Sequence, residues 1–342
     1  MPEISVIVLN WNGKHFLETC LTALRRQTFR DFETILVDNG SQDGSAEYVC
    51  TNFPEVHVIS LNENRGFTGG NIAGWESVRK GPANGLIVLL NNDTEAHPLW
   101  LEEFHKASRV YPRAGMLASK MMMFDDRNRI ENCGFAMSTI GFTIDLGRGE
   151  VDSPMWSEPR QVFGACAGAA AYRRSMLEDV GFLDDDFFMT SEDVDMSFRA
   201  QLRGYECWMI PGAIVYHRYR GAMSKFPTRQ AFFTHRNSEF VYLKNMPADL
   251  MLGYLPARVI YELAATFHSF RAGYGRAFVK AKIDAMRQLA AVLRKRKQIQ
   301  ERRTISSGQL RLRMQKKWLG LKWEKLLSSW HKPSQTEIRI SP

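Results

Sequence analysis

The chain is short of cysteine. Five residues in 342 (Cys20, Cys50, Cys133, Cys166, Cys207) are an odd number without metal-site spacing. A disulfide framework is therefore excluded, and a reducing compartment is expected. Long apolar runs are also missing, since spanning a bilayer takes roughly 18 apolar residues or more. The nearest candidate, residues 250–270, is interrupted by Pro256, Arg258, Glu262 and His268. No positively charged stretch precedes the first apolar run, Ile4 to Leu9. The N-terminus thus reads as a first core strand and not as a signal peptide. A small-residue run, Gly164 to Ala169, is not followed by Lys-Ser/Thr, which excludes a phosphate-binding P-loop. Acidic residues are scarce only at the end. Residues 1–250 hold 25 Lys+Arg against 32 Asp+Glu, and residues 251–342 hold 20 against 5. The basic character belongs to the C-terminal quarter, and the remaining composition is that of a globular protein with a full core.

What is present is a strand–helix alternation over residues 1–95. Strand patterns at Ile4–Leu9, Phe32–Val37, Val56–Ser60 and Leu86–Leu90 are separated by helical spacing at Lys14–Gln27, Ser45–Phe53 and Gly69–Lys80. This order predicts βαβ units and a mostly parallel sheet. The run Leu86–Leu90 is apolar throughout, as expected of a strand buried on both faces. Residues 96–160 show weak periodicity and read as a second layer. Patterning returns at Val162–Tyr172 and Arg174–Val180, and again at Trp208–Ile210 and Ala213–Tyr216. From about residue 250 the chain reads as helix, without internal repeats.

Three acidic sites each follow an apolar segment: Asp38 after Ile35–Val37, Asp93 after Leu86–Leu90, and Glu192-Asp193 after Phe187–Met189. In open α/β sheets the carboxyl ends of strands converge on one ligand crevice. Carboxylates there suit a Mg²⁺ or Mn²⁺ ion, held by one or two of them plus substrate phosphates. His217, after another strand-like run, is a candidate nitrogen ligand, with a hydrogen-bonded structural histidine as the alternative. For Asp38 the plainer alternative is an Asx turn, and for Asp93 a helix cap. Asp184-Asp185-Asp186 reads mainly as a solvated turn. The Gly164–Ala169 run either walls a ligand pocket or lets a core strand pack tightly.

The order of these motifs carries a resemblance. Val6–Gly13, Val37–Ser45, Asn62–Phe67 with Asn71, Leu89–Thr94, and Ser191–Asp195 through Arg199 to Tyr205 follow one another as in family 2 glycosyltransferases. The chain is similar over about residues 3–245 to the bacterial rhamnosyltransferase-like branch of that family. The resemblance implies a GT-A fold, a Rossmann-like nucleotide-diphospho-sugar transferase of the α/β class. The nucleotide-binding half would span 1–95, the acceptor-binding half 96–245, and a basic helical extension 246–342. It implies nucleotide-sugar contacts from Asn10, Asn12, Asp38, Arg65, Asn71 and Asn92, with Asp38 accepting from the pyrimidine N3–H. Asn91-Asn92-Asp93 stands where the family has Asp-x-Asp, so only Asp93 brings full charge to the metal, with His217 as a further ligand. Asp193 matches the catalytic base of an inverting transfer, which needs one carboxylate at the acceptor hydroxyl. Glu192 is expected to orient the acceptor, and Asp195 to hold the segment through a salt bridge.

The implied activity is transfer of a hexose, with rhamnose as the branch-level candidate, from a dTDP- or UDP-sugar to a glycan. That glycan would be a growing, lipid-linked one in cell-wall or polysaccharide biosynthesis. Two rivals stand beside it: a sugar-nucleotide nucleotidyltransferase and a non-catalytic nucleotide-sugar-binding protein. A nucleotidyltransferase usually carries a basic Gly-rich loop after the first strand, where this chain has Asn10-Trp11-Asn12-Gly13.

Apolar positions at helical spacing recur from Ile260 to Leu293 among basic residues, and Trp318, Trp323 and Trp330 alternate with lysines farther on. Basic amphipathic helices of this kind suit an anionic membrane surface. The expectation is a cytoplasmic protein attached peripherally to the inner face of the cell membrane. The alternative is a helix packed on the catalytic domain. Nucleic acid is not expected as a partner, because no base-reading module accompanies the charge.

Overall fold

The computed structural model of the protein describes residues 2–218 and 227–315. The Trp-rich segment 318–330 lies outside them. The first half runs β1 (Ile4–Asn10), α1 (Lys14–Arg25), β2 (Phe32–Asp38), α2 (Ser45–Asn52), β3 (His57–Ser60), α3 (Gly66–Val78) and β4 (Leu86–Asn91). Next come β5 (Thr94–Ala96), α4 (Trp100–Val110), β6 (Ala114–Met123), β7 (Ile130–Asn132), β8 (Phe135–Met137) and β9 (Thr143–Asp145). They are followed by β10 (Arg160–Val162), β11 (Ala169–Arg173), α5 (Arg174–Val180), α6 (Glu192–Leu202) and β12 (Glu206–His217). The last stretch is helical: α7 (Pro227–Asn245), α8 (Ala248–Gly253), α9 (Leu255–Arg271), α10 (Gly275–Arg287), α11 (Leu289–Glu301) and α12 (Ser307–Leu312).

One sheet carries the fold, in the order β10-β12-β6-β11-β4-β1-β2-β3. Strands β4, β1, β2 and β3 are parallel, as the alternation predicts. β11 runs antiparallel between β4 and β6, and β12 returns parallel to β6. The α/β expectation holds, with an antiparallel strand inserted at the centre. β4 is buried on both faces. Leu86, Val88 and Leu90 enter one core, and Ile87 and Leu89 the other. All five cysteines are free thiols.

Residues 96–160 are not a separate layer. They contribute β6, a ten-residue strand inside the main sheet. Its sequence, AGMLASKMMM, has neither β-branched residues nor alternation, because both faces are buried and methionine fills them. Even Lys120 is buried there, with its ammonium 2.8 Å from Asp152.

A third core joins α6 and α7 to the C-terminal helices through Phe198, Phe240, Val292 and Leu310. Helices α10 and α11 are thus fastened to α6 and α7. The apolar positions of residues 260–293 are shared out accordingly. Phe278 and Val292 face inward, whereas Leu263, Phe267 and Met286 face outward. Among the described residues, no helix is long and apolar enough to cross a membrane.

Candidate active site

The carboxyl ends of β1, β2 and β4 meet, and their polar residues bond to one another. Asn10 Nδ2 donates to Asp38 Oδ1 (3.0 Å), and Asn92 Nδ2 donates to Asn10 Oδ1 (2.6 Å). Asn12, at φ 49°, accepts from the Gln42 backbone N–H and donates its own N–H to Ser41. Asn92 lies directly over Gly13, where a Cβ would come within 2.2 Å of its amide nitrogen. Behind this row Asn39 accepts from the Arg65 backbone N–H (2.9 Å) and donates to Gly66 O (2.9 Å). Arg65 is exposed at the start of α3. Asn71 lies deeper, buried in α3, and donates to Phe67 O one turn back (2.9 Å). Asn39 and Ser41, not singled out in the sequence, lie within the Val37–Ser45 motif.

Beside them β5 and β12 pair so that His217 lies opposite Thr94. This brings His217 Nε2 to 3.1 Å from Asp93 Oδ1. On its other side, His217 Nδ1 is 2.8 Å from Glu131 of β7. Burial alone would lower the histidine's pKa. Asp93 and Glu131 outweigh burial and push it up to about 10. Glu131 had no signal in the sequence, because its short strand lies in the weakly patterned stretch.

These residues fit a divalent ion. Asp93 offers oxygen and His217, once the ion displaces its Nε2 proton, a nitrogen oriented by a carboxylate on its far side, a common arrangement around metals. Among the described residues no three His, Cys, Asp or Glu converge as a complete ligand set. Two protein donors would therefore leave positions for phosphate oxygens.

The third acidic site adjoins the second through one loop. Asn91 N–H donates to Gly168 O (2.8 Å), and the next residue back, Ala167, donates its N–H to Asp193 Oδ2 (3.0 Å). The Gly164–Ala169 run is thus mostly a loop between strands and holds the Asp193 carboxylate. Asp193 Oδ1 accepts from the Val194 N–H (2.8 Å) at the start of α6. Desolvation outweighs these bonds and raises its pKa to about 6.

Glu192 is buried, with Oε2 lacking a hydrogen-bond partner. Burial first, and the Asp193 charge second, push its pKa well above the ordinary carboxylate range. A group whose folded pKa is raised stabilises the fold below its unfolded pKa, about 4.3. That contribution is lost as pH rises towards the folded value. Glu192→Gln is therefore expected to melt higher than the parent, with a gap that widens from pH 5 to pH 8. The limit is about 1.4 kcal/mol per pH unit. Melting curves at the two pH values test this, and a gap independent of pH would contradict it.

The backbone leading into Glu192 is strained. Phe188, Thr190 and Ser191 have φ of 59°, 65° and 66°. Such conformations cost on the order of 1–3 kcal/mol each and persist only when their surroundings impose them. Here α7 imposes them. The Asn237 amide is shared among the carbonyl oxygens of Phe187, Met189 and Thr190 at 2.7–2.9 Å. Arg236 binds Asp186 O (2.7 Å) and holds Asn237 Oδ1 (2.9 Å). On the other flank Phe188 O accepts from Thr68 N–H (3.1 Å). It also crowds Gly66, whose φ of 73° and missing Cβ the contact requires. The loop before Asp193 thereby touches the start of α3 in the first part of the chain.

The acidic cluster at the head of this loop is not a solvated turn. Asp184 pairs with buried Lys244 and with Lys295, and Asp186 pairs with Lys295. Only Asp185 of the three is exposed. The cations come from α7 and α11, far along the chain, so local sequence gave no sign of them. Asp195 does form ion pairs, with Arg199 and Lys244, each at 2.9 Å.

Comparison with known proteins agrees with this geometry. The model of the family described as "Glycosyl transferase family 2" matches residues 5–181. The N-acetylglucosaminyl-diphospho-decaprenol L-rhamnosyltransferase of Mycobacterium tuberculosis is 24% identical over 264 residues, covering 70% of this chain and 83% of that one. The O-antigen biosynthesis protein RfbC of Myxococcus xanthus is 25% identical over 213 residues, 59% of this chain but only 16% of its own length. GalNAc-T7, solved with UDP, GalNAc and Mn²⁺, superposes with a TM-score of 0.57 at 15% identity, over 71% of this chain and 48% of that one. The mannosyltransferase of Pyrobaculum calidifontis, solved with GDP-Man and Mn²⁺, gives 0.51 at 14%, over 83% and 87%. At such identities the structural likeness shows a shared GT-A-like fold. With the family model matching more than half its length, the chain belongs to glycosyl transferase family 2, and it is a glycosyltransferase.

Proposed function

We propose that this glycosyltransferase is inverting and uses a divalent metal. It moves a sugar, rhamnose in the leading reading, from a dTDP- or UDP-sugar to a hydroxyl of a growing, lipid-linked cell-surface glycan. One observation carries this reading: Asp93 with His217, and Asp193, lie on either side of a single loop, linked by the Asn91–Gly168 and Ala167–Asp193 hydrogen bonds. The name of the mycobacterial relative supports rhamnose and a lipid-linked acceptor. The Mn²⁺ in two structural relatives supports a metal, Mg²⁺ or Mn²⁺.

In this reading Asp38 accepts from the pyrimidine N3–H, with Asn10 fixing its carboxylate. Asn12, Asn92 and Arg65 line the nucleotide, while Asn71 supports the helix start from within. Asp93 and His217 hold the metal, which when bound neutralises the departing diphosphate. Asp193 takes the proton of the acceptor hydroxyl as its oxygen bonds to the anomeric carbon and the carbon–phosphate oxygen bond breaks. Glu192 presents almost no surface to an acceptor. Its proposed contribution is to stay protonated, so that the one negative charge of the pair resides on Asp193. Attachment to the anionic inner face of the cell membrane would bring this site to a lipid-linked acceptor.

The test is a thermal-shift series with dTDP, UDP, GDP and ADP, each with and without Mn²⁺. Pyrimidine diphosphates with Mn²⁺ are expected to raise the melting temperature by several degrees. Saturation at 100 times the dissociation constant corresponds to about 2.7 kcal/mol. No response to any pyrimidine nucleotide would remove the proposal.

A further inference from the structure

Helix α9 is amphipathic in the wrong sense for a globular surface. Its inner face is polar. Arg258 is buried, paired with Glu239 (2.8 Å) and Glu262 (2.6 Å), and it donates to Ile140 O (3.0 Å). Ser269 is buried about three turns on. Its outer face is apolar: Leu255, Val259, Ile260, Leu263, Phe267 and Phe270 are all 48–66% exposed. At 100° per residue these six fall within one broad stripe along a helix about 25 Å long. Exposed apolar surface that is continuous, and not scattered, marks an interaction site.

Charge selects the partner. Between residues 252 and 300 the chain has only two carboxylates, Glu262 and Asp284. Both are engaged within the fold, with Arg258 and Lys282 and with Arg236. Exposed cations follow the stripe along the chain instead: Arg271 at its end, then Arg276, Lys280 and Arg287 on α10. A second copy of the chain is a poor occupant. A two-fold interface would set these cations near their own copies, with no exposed carboxylate between residues 252 and 300 to answer them.

We propose that the outer face of α9 is the surface by which the protein docks on a bilayer rich in anionic phospholipid. The stripe lies in the plane of the interface, its side chains among the upper acyl chains and the flanking cations among the headgroup phosphates. This deepens the membrane attachment proposed above and depends on no step of sugar transfer.

Flotation of the full-length protein with vesicles tests it without any nucleotide sugar. Vesicles of phosphatidylglycerol and phosphatidylcholine (3:7) are expected to carry the protein, and pure phosphatidylcholine vesicles far less. Leu263→Glu with Phe267→Glu should lower the fraction bound to anionic vesicles at least tenfold. Arg276→Ser with Lys280→Ser should weaken binding and flatten its salt dependence. Both pairs are exposed, so melting temperature and nucleotide response should stay at parental values. Should the Glu pair melt early, Leu263→Ser with Phe267→Ser replaces it. A parent that does not float overturns the proposal. So does a double variant that floats as the parent does, since binding then resides elsewhere in the chain. A parent that is dimeric in solution and becomes monomeric on substitution assigns the face to a second copy and likewise overturns it. Failure of the nucleotide series with flotation intact would remove the transfer reading alone.

Discussion

Asp193→Asn is expected to lower turnover by about 10²–10⁴-fold, the usual worth of a positioned general base. The change keeps the side chain's shape, removes its ability to take a proton, and costs one of its two backbone N–H bonds, because an amide has a single accepting oxygen. Nucleotide-sugar binding, measured by thermal shift, should stay near parental. The pH profile gives an independent readout. Burial raises the Asp193 carboxyl to about 6, and the Ala167 and Val194 N–H groups limit the rise. A base works ionised, so parental kcat/KM should climb tenfold per pH unit below 6 and level off above it. The residual activity of Asp193→Asn should lack that limb. Undiminished turnover, or an acid limb that survives the substitution, would remove Asp193 from the base role. A fall in nucleotide binding equal to the fall in rate would make Asp193 a structural residue of the loop.

The parts legible in the sequence are those whose physics is local. β1, β2 and β4 run parallel to one another in the interior of the sheet, so their apolar runs and the polar residues that end them could be read directly. The bonded row of Asn10, Asp38 and Asn92 follows from those strand ends. What could not be read depends on distant partners. β6 carries glycine, alanine and a buried lysine, and only Asp152 makes that lysine tolerable. Glu131 orients His217 across 86 residues. The Asp184–Asp186 cluster looks solvated until Lys244 and Lys295 arrive 60 and 111 residues later. α9 was legible in part. Its helical period was plain, but period alone does not say which face the fold buries, and ion pairing has buried the polar one.

Lys244→Met is expected to be the most destabilising single change here. Lys244 is 2% exposed and stands between Asp184 and Asp195, with Asp195 fully buried. Methionine fills the volume but leaves two carboxylates short of a counter-charge. Breaking a buried pair in this way costs about 3–5 kcal/mol. In a domain of this size that is a fall in melting temperature on the order of 10 °C. The pH dependence follows from the shifts of the partners. Desolvation alone would raise Asp184 and Asp195, but Lys244 leads the opposing charges and holds both below the ordinary carboxylate range. Stability from such lowered groups is present above their unfolded pKa, about 3.9, and is lost as pH falls through the folded values. The parent–variant gap should therefore be full at pH 7 and close below about pH 4. Adding Asp184→Asn to Lys244→Met should recover part of the loss, because one orphaned charge disappears with it. The damage should also reach the chemistry. Asp184 opens the strained loop that ends at Glu192-Asp193, and Asp195 lies on the first turn of α6 beneath it. At temperatures where the variant is folded, kcat should fall more than KM rises, because the row of Asn10, Asp38 and Asn92 proposed to hold the nucleotide shares no bond with Lys244. A gap in melting temperature that persists unchanged well below pH 4, towards the folded values, would show that lost packing, and not uncompensated charge, is the cause.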